Sequence, residues 1–308
     1  MGTAAIYADF RARGGVADLS GRTKLSLTGA DRVRYLNGQV TANVLRLAPG
    51  QALPVCVTTA KGRLCAEAVL HTTADALLLD ADAALRESLA ARLERYIISD
   101  DVAIEDVTDI FRLLHIFGEV APASDLADNA VCADRIHRFG HAGWDVWLAQ
   151  DTFAVVWPQL TARVAELPLE LQETLRIEAG VPRWGCELGE DTLPPEAGLD
   201  RTHIDYHKGC YIGQEVISRL KSVGHVNREL SGFIALDDAP LQPGAQLFPP
   251  DSDERPVGTL TSAAFSFALE KPIALGYLKR GAAFPELIAR SADATETRVA
   301  PQTLPFVS

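Results

Sequence analysis

The sequence predicts an α+β fold, in which a mixed α/β domain is followed by an all-β module that closes as a small barrel. Two observations favour this class. Before about residue 228, segments with strand-like alternation are interleaved with segments of helical periodicity; after it, short strands are separated by glycine and proline. We therefore expect an α/β domain over residues 1–228, with two sub-lobes of which the middle one covers roughly 50–155, and a barrel domain over 229–308.

Length, composition and charge restrict the class of protein. The chain has 308 residues, of which 47% are hydrophobic and 23% charged, as in an ordinary globular protein. Its formal net charge of −12 argues against non-specific binding of nucleic acid, which needs a basic surface, although a local basic pocket for a small anion is compatible with it. Neither a signal peptide nor a bilayer-spanning apolar run is evident, so we expect a cytoplasmic protein without membrane contact.

The cysteines are odd in number and scattered along the chain, and no C-x-x-C pair is present. This pattern argues against a disulfide framework and against a metal or cluster site built by the chain alone, and it favours a reducing compartment. Four of the cysteines are expected to pack as small apolar residues. These four are Cys56, Cys65, Cys132 and Cys186.

The α/β domain is predicted from local patterns taken in chain order. Leu85, Leu89 and Leu93 repeat every four residues and indicate the clearest helix. Strands and helices of the region are expected to form two β-α-β-like passes. The predicted strands are 23–27, 54–59, 64–71, 102–107, 111–117 and 144–148, and the predicted helices are one that starts near Thr28 to Asp31, one over 82–96 and one over 171–179.

Regular periodicity disappears between Val181 and Lys208, where Gly and Pro pairs recur. Irregular stretches of this length inside compact domains are usually functional. On the helix before it, Arg176 and Glu178 are two residues apart and point to different faces, and we expect Glu178 to be a structural anchor. In the barrel module, strands are predicted over 230–236, 257–262 and 273–278.

The densest polar cluster is the string from His207 to Glu215. A helix is expected to begin at Gln214, which places Cys210 just before a helix N-terminus and close to Lys208. Both features stabilise a thiolate, so Cys210 is a candidate nucleophilic or redox-active thiol. A structural cysteine buried in a turn explains the same spacing equally well.

The string K-G-C-Y-x-G-Q-E, from Lys208 to Glu215, resembles the signature of the YgfZ-type folate-binding family, which is related to the aminomethyltransferase (T-protein) of the glycine cleavage system. Other segments resemble that family in the same order along the chain. They are Leu36 to Val44, Lys61-Gly62-Arg63, Arg176 to Gly180, Pro195 to Leu199, Gly258 to Ser262 and Ala274 to Tyr277.

The resemblance implies a T-protein-like folate-binding α/β domain and a C-terminal barrel around a central channel. It implies tetrahydrofolate, or a derivative such as 5-formyl-tetrahydrofolate, as the ligand. It also implies an accessory role in the assembly or repair of iron–sulfur proteins, including enzymes that modify tRNA. The expected partners are therefore a reduced folate and iron–sulfur client or assembly proteins, without direct contact to nucleic acid, and the chain is expected to be a monomer.

Several residues are candidates for the folate site. A carboxylate can accept two N–H groups of a reduced pterin, and Glu196 is the expected acceptor. The candidate aromatic walls of the folate site are Tyr35, Trp184 and Tyr211. The candidate cations for the glutamate tail of the folate are Lys61, Arg63 and Lys208. Gln39, Asn43 and Glu67 complete the candidate folate contacts, and Cys210 with Lys208 forms the candidate reactive pair.

Two departures leave the activity open. T-proteins place an aspartate shortly after the K-G-R turn, where this chain has Glu67, and the early segment has Ala42-Asn43 where Asn-Asp is usual. A folate-dependent transferase of aminomethyl or methyl groups is therefore the alternative to the accessory role. A binding protein without catalytic turnover is a third possibility.

Overall fold

The computed structural model describes residues 2–118, 124–250 and 255–307. The α-helices are α1 (Thr3–Arg13), α2 (Arg32–Gln39), α3 (Arg86–Glu94), α4 (Ser124–Asp128), α5 (Gln150–Thr161), α6 (Leu169–Glu178) and α7 (Gln214–Ser222). The strands are β1 (Gly15–Asp18), β2 (Thr23–Thr28), β3 (Leu53–Thr58), β4 (Leu64–Thr72), β5 (Leu77–Ala81), β6 (Ala103–Asp106), β7 (Phe111–Phe117), β8 (Cys132–Arg138), β9 (His141–Ala149), β10 (Ala165–Glu166), β11 (Arg228–Ala235), β12 (Gln246–Phe248), β13 (Gly258–Ser266), β14 (Lys271–Lys279), β15 (Leu287–Arg290) and β16 (Glu296–Gln302). Short 3-10 turns lie at Val44–Arg46, Ala83–Leu85, Pro194–Ala197 and Leu199–Arg201.

The first sheet has the order β3-β4-β5-β2-β6, and its neighbouring strands are antiparallel. Leu25 and Leu27 of β2 pack into a core that α2 and α3 cover through Leu36, Leu89 and Leu93. The predicted helix over 82–96 is a 3-10 turn followed by α3, and α2 begins at Arg32 rather than near Thr28. The helical spacing of the leucines therefore predicted α3 correctly, and only the ends of the predicted helix differ from those in the structure.

The second sheet has the order β10-β1-β7-β9-β8. On β9, Trp147 is fully buried with Leu113, while Trp144 is half-buried and packs with Leu114 on another side. Only β1 and β10 are parallel in this sheet, since β1 with β7, β7 with β9, and β8 with β9 are antiparallel. Two passes have the expected β-α-β sense, because β5 and β6 run in the same direction and are connected through α3, and β9 and β10 run in the same direction and are connected through α5. Other strands lie between the two members of each pass, and tight turns such as the one at 59–63 add antiparallel neighbours. The strands between residues 50 and 155 are divided between the two sheets.

Six strands of the described residues form a closed barrel in the order β11-β14-β13-β12-β15-β16. Phe233, Leu247 and Leu287 fill its interior, which is the third main core of the molecule. A Cβ on Gly276 would lie 2.5 Å from the carbonyl oxygen of Thr259, so close strand contact requires glycine there. The α+β class with a C-terminal barrel is confirmed. The three strands predicted in this module are present as β11, β13 and β14, while β12, β15 and β16 were not anticipated.

Helix α6 joins the second sheet to the barrel, because Leu171 and Leu175 pack in the core of that sheet and Ile177 packs against barrel strand β14. Its Glu178 accepts a hydrogen bond from Ser266 Oγ of the barrel at 2.5 Å and from the Tyr7 hydroxyl of α1 at 3.3 Å. The backbone carbonyl of Glu178 also accepts from Phe306 N at 2.8 Å. Glu178 is thus an anchor, as the sequence suggested.

A second buried carboxylate, Glu187, connects α6 to the irregular segment and to β13. Its Oε2 accepts from Arg176 at 2.8 Å and from the backbone N–H of Arg183 at 3.0 Å. Its Oε1 accepts from Thr261 Oγ1 at 2.7 Å and from Ser262 Oγ at 2.6 Å. All of the recorded contacts are charge-assisted hydrogen bonds to a side chain that is only 2% exposed, so the segment after α6 is fixed to the barrel.

None of the described helices combines the length and the apolar character that crossing a bilayer requires.

The buried pair of Arg176 and Glu187 gives a test of this architecture. Replacing Arg176 with Met leaves Glu187 as an uncompensated buried charge, and we expect the free energy of unfolding to fall by about 3–5 kcal/mol. Urea denaturation followed by circular dichroism measures this. The matched control is Arg219→Met, because Arg219 pairs with Glu215 at 3.1 Å on the exposed surface, where ion pairs contribute little. Equal urea midpoints for the two variants would contradict the role given to Arg176.

Candidate functional site

The polar string from Lys208 to Glu215 is folded against the end of α2. The Nζ of Lys208 donates to the carbonyl oxygens of Asn37 at 2.6 Å, Val40 at 2.7 Å and Ala42 at 2.6 Å. An ammonium group has three N–H donors, and all three are engaged by these carbonyls. Burial lowers the pKa of Lys208 to about 8, which leaves the ammonium as the main form at neutral pH. These three carbonyls use the N–H donors of Lys208, so the structure shows no hydrogen bond from Lys208 to Cys210.

The second glycine of the string is required by close packing. Gly213 has φ +91° and precedes α7, and a Cβ there would lie 2.6 Å from the carbonyl oxygen of Thr59. On the opposite side of this contact, Gly62 of the K-G-R turn has φ +73° and lies against Val216 of α7. The two glycine motifs thus meet in space, and Thr58 Oγ1 strengthens the contact by donating to the carbonyl of Ile212 at 2.5 Å.

Cys210 is exposed. Gly209 before it is also exposed, and a Cβ built on Gly209 would meet no heavy atom within 4 Å. Lys208 and Tyr211 on either side are buried. The string therefore holds its backbone in place through Lys208, Tyr211 and Gly213 and presents the thiol of Cys210 to the outside, four residues before α7 begins.

The irregular segment after α6 covers one face of the first sheet. Cys56 of β3 and Glu67 of β4 are directly paired and therefore lie on the same face. Cys56 packs with Leu188, Ala197 and other apolar side chains of the irregular segment. Trp184 also packs there, so the segment brings Trp184 and the loop of Glu196 to the face that carries Glu67.

Glu67 is held by a histidine of the same covering segment. His203 Nε2 lies 3.3 Å from Glu67 Oε1, and its carbonyl accepts from Thr41 Oγ1 at 2.6 Å. Burial raises the pKa of Glu67, but the hydrogen bond and charge of His203, with the charges of Arg22 and Arg138, outweigh it and leave the pKa lowered. Glu67 is therefore a carboxylate at neutral pH.

Glu196 lies at the junction between the irregular segment and the barrel. It is 7% exposed, and its Oε2 accepts from the backbone N–H of Leu193 at 3.3 Å and from Arg228 Nε at 3.0 Å. Arg228 in turn lies over the Tyr277 ring, 4.3 Å from its centroid, and the Tyr277 hydroxyl donates to the carbonyl of Glu187 at 2.9 Å. Arg228 and Tyr277 also line a cleft of about 390 Å³ together with residues 185–192 and Thr261.

Of the remaining predicted residues, Arg63 contacts Asp191 in the lining of the cleft, and the others lie elsewhere. Gln39 accepts from Arg92 at 3.1 Å, and Asn43 accepts from the backbone N–H of Leu45 at 3.2 Å. Arg63 pairs with Asp191 at 3.1 Å near the surface, and Lys61 is exposed. Tyr35 lies in the core of the first sheet and donates to the carbonyl of Leu93, so it does not form a wall at the covered face.

Three residues of this region were not identified in the sequence as contributors to the site. Arg228 stands at the predicted domain boundary, where it carries no local signal, and Tyr277 belongs to an ordinary barrel strand. His203 stands in the irregular segment, where no local pattern marks it, and the structure pairs it with Glu67. All three reach the site through contacts between distant segments, which spacing along the chain does not reveal.

Comparison with known proteins supports the architecture. Residues 228–305 match the family model described as the glycine cleavage T-protein C-terminal barrel domain. The aminomethyltransferase of Rubrobacter xylanophilus is 28% identical over 305 residues, which cover 90% of this chain and 79% of that protein. The aminomethyltransferase of Thermosynechococcus vestitus is 28% identical over 298 residues, which cover 88% of this chain and 77% of that protein. The structure of glycine cleavage system aminomethyltransferase T from Bartonella henselae has a TM-score of 0.86 at 20% identity, covering 99% of this chain and 90% of that one. The chain therefore has a T-protein-like fold.

The buried ammonium of Lys208 can be tested by its removal. Replacing Lys208 with Met leaves three carbonyl oxygens without their donor, and we expect the free energy of unfolding to fall by on the order of 3 kcal/mol. Urea denaturation measures the change, and Lys61→Met is the matched control because Lys61 is exposed. A Lys208→Met protein as stable as the control would show that these hydrogen bonds are not what holds the string in place.

Proposed function

We propose that this chain binds a tetrahydrofolate, or a derivative such as 5-formyl-tetrahydrofolate, between the irregular segment, the first sheet and the barrel. The observation that carries the proposal is the buried carboxylate of Glu196, which is paired with Arg228 beside a cleft of about 390 Å³. Clefts of several hundred Å³ with a few polar groups are the usual sites of small ligands. The T-protein-like fold and the aminomethyltransferase relatives support the same ligand class.

The chemistry of Glu196 suits a reduced pterin. Both recorded contacts of its carboxylate use Oε2, and an ionised carboxylate has acceptor capacity for several donors. The aminopyrimidine edge of a pterin offers adjacent N–H donors that match a carboxylate in a bidentate manner. Arg228 fixes the orientation of Glu196, and the Tyr277 ring below Arg228 restricts the guanidinium in turn. The acceptor is thus held in place before a ligand arrives.

A second polar group of this region fits a ligand. The hydroxyl of Tyr211 is buried, and it has no hydrogen-bond partner among the residues that the structure describes. Burial raises the pKa of Tyr211, with the nearby Tyr206 and Cys56 adding to the effect, so the hydroxyl keeps its proton and can donate. Buried polar groups without a partner are rare in proteins. Together, Glu196 as acceptor and Tyr211 as donor offer a folate complementary contacts.

We further propose that the protein is an accessory factor for iron–sulfur proteins and that Cys210 makes the contact with them. The thiol is exposed while Lys208, Tyr211 and Gly213 of its string are buried, which is the arrangement needed to reach a partner. Ligation of a cluster normally takes four cysteines, so one exposed thiol would act only together with a client or assembly protein. In the proposed YgfZ-type role, the protein therefore has two separate functional sites: a folate site, and the exposed thiol of Cys210 that contacts the partner.

A folate-dependent transferase of aminomethyl groups is the second candidate, and the position of Glu67 is the observation that favours it. Glu67 is an ionised carboxylate on the covered face, where it could orient an amine. Its engagement by His203 limits that role, because the hydrogen bond restrains one of its oxygens. Loss of function on Glu67→Ala but not on Cys210→Ala would favour the transferase, and the reverse would favour the accessory factor.

The folate proposal makes a quantitative prediction for calorimetric titration. Tetrahydrofolate and 5-formyl-tetrahydrofolate are expected to bind the unmodified protein in a saturable manner. Glu196→Gln keeps the side-chain shape but removes the charge, and we expect affinity to fall by at least about tenfold, since hydrogen bonds to charged groups contribute about 1.5–3 kcal/mol. Cys210→Ser is expected to bind normally, because Cys210 points outward.

Glu229→Gln is the matched control for this titration. Glu229 follows Arg228 on β11 but is exposed, so the same substitution there should leave binding unchanged. Thermal melting of each variant shows whether the fold is retained. Absence of binding to the unmodified protein, or equal binding by the Glu196 and Glu229 variants, would refute the assignment of Glu196.

The accessory role predicts a different ranking of variants in cells that lack this chain. The readout is the level of a tRNA modification made by an iron–sulfur enzyme, measured by mass spectrometry of digested tRNA. We expect the unmodified chain to restore the modification, and both Cys210→Ser and Glu196→Gln to fail although they fold. Full restoration by Cys210→Ser would exclude the proposed contact through its thiol while leaving the folate site intact.

A further inference from the structure

A buried cluster of titratable side chains lies where the two sheets pack against each other. His71 comes from β4 and Asp80 from β5 of the first sheet, whereas Cys132 and Asp134 come from β8 and Asp145 from β9 of the second. All except Cys132 are at most 1% exposed. The folate site uses none of them, and their distance along the chain explains why no metal-ligand spacing is visible in the sequence.

Three different ligand atoms meet at one corner of this cluster. His71 Nδ1 lies 3.0 Å from Asp134 Oδ2. A nitrogen of His71, the Sγ of Cys132 and a carboxylate oxygen of Asp134 all lie within 4.8 Å of one another. The ligands of a tetrahedral ion with bonds of about 2.0–2.3 Å stand about 3–4 Å apart, so small adjustments bring these three atoms to that spacing.

The opposite edge of the imidazole is already oriented by carboxylates. His71 Nε2 lies 3.4 Å from Asp80 Oδ2 and 3.5 Å from Asp145 Oδ2. Arg138 donates to both of these aspartates at 2.6 Å, and Arg22 pairs with Asp80 as well. Because Nε2–H keeps its carboxylate acceptors, loss of the Nδ1 proton to solvent leaves on Nδ1 a lone pair that faces Asp134 and Cys132. This carboxylate–histidine arrangement is the usual support of a metal-bound imidazole.

We propose that His71, Cys132 and Asp134 bind one divalent ion of the zinc class, which fastens the two sheets together. Nitrogen, thiolate sulfur and carboxylate oxygen are the donor types that Zn²⁺ accepts, whereas Mg²⁺ and Ca²⁺ prefer oxygen alone. Three protein ligands leave a fourth position for a water molecule. The ion enters from the side of Cys132, which lies on the edge strand β8 and is partly exposed.

The net charge of the buried cluster is conserved when the ion binds. Binding of Zn²⁺ replaces the proton on His71 Nδ1 and the proton on Cys132 Sγ, both of which go to solvent. Two positive charges leave and two enter, so the buried network with Arg138 and the aspartates keeps its net charge.

The test uses cobalt(II) as a spectroscopic probe and zinc as its competitor. Protein stripped of metal by a chelator is titrated with Co²⁺, and we expect one equivalent to produce the thiolate-to-cobalt charge-transfer band, which Zn²⁺ then abolishes. Zinc binding in weak buffer is expected to release two protons per ion. One equivalent of Zn²⁺ should also raise the thermal midpoint, because an ion that binds only the native state stabilises it.

Cys132→Ser is the decisive variant and Cys65→Ser its matched control. Both cysteines are partly buried strand residues, but Cys65 packs against the core of the first sheet and lies outside the cluster. We expect the charge-transfer band to be lost in Cys132→Ser and retained in Cys65→Ser, with both variants folded without metal. A band that persists in Cys132→Ser, or no saturable band in the unmodified protein, would overturn the proposal and leave the cluster as an ion-pair network only.

Discussion

The ion pair between Arg176 and Glu187 is the constraint on which the rest of the structure depends. It connects the buried helix α6 to the segment that follows it, and the same carboxylate accepts from Thr261 and Ser262 of the barrel. Buried ionic networks are costly unless every lone pair is satisfied, and here the recorded contacts satisfy both oxygens of Glu187. A segment without regular secondary structure thereby acquires a fixed course between the sheets and the barrel.

That fixed course determines where the functional groups stand. Glu196 is rigid because Leu193 N–H and Arg228 hold it, and Arg228 is rigid because Tyr277 lies beneath it. Tyr277 donates to the carbonyl of Glu187, so the chain of contacts returns to the pair at α6. An acceptor that a ligand need not reorganise binds more tightly than a mobile one. The folate site proposed here is thus a consequence of how the irregular segment is anchored.

Local patterns in the sequence predicted much of the fold but only part of the site. Leucine spacing located α3, and glycine with proline located the barrel strands β11, β13 and β14, because these signals act over a few residues. Pairing between distant segments has no such signal, so the sequence predicts β-α-β-like passes but does not show that other strands lie between the two members of each pass. For the same reason the sequence predicts that Lys208 lies close to Cys210 but does not show that its ammonium donates to the carbonyls at the end of α2. Cys132 packs against the core of the second sheet, as expected of a small apolar residue, but Asp134 of the same strand and His71 of the first sheet also lie close to its thiol.

The buried cluster and the covered face share their electrostatics through two arginines. Glu67, Val69 and His71 alternate along β4 and therefore point to the same side of the first sheet. Arg138 and Arg22, which neutralise Asp80 at one end of this face, also lower the pKa of Glu67 at the other. The charge of a buried guanidinium is poorly screened, so it acts on Glu67 from a distance. Replacing two protons by a divalent ion conserves the net charge of the cluster and therefore leaves the lowered pKa of Glu67 unchanged. A metal at His71 would accordingly stiffen the interface between the sheets without altering the charge that a ligand meets at Glu67.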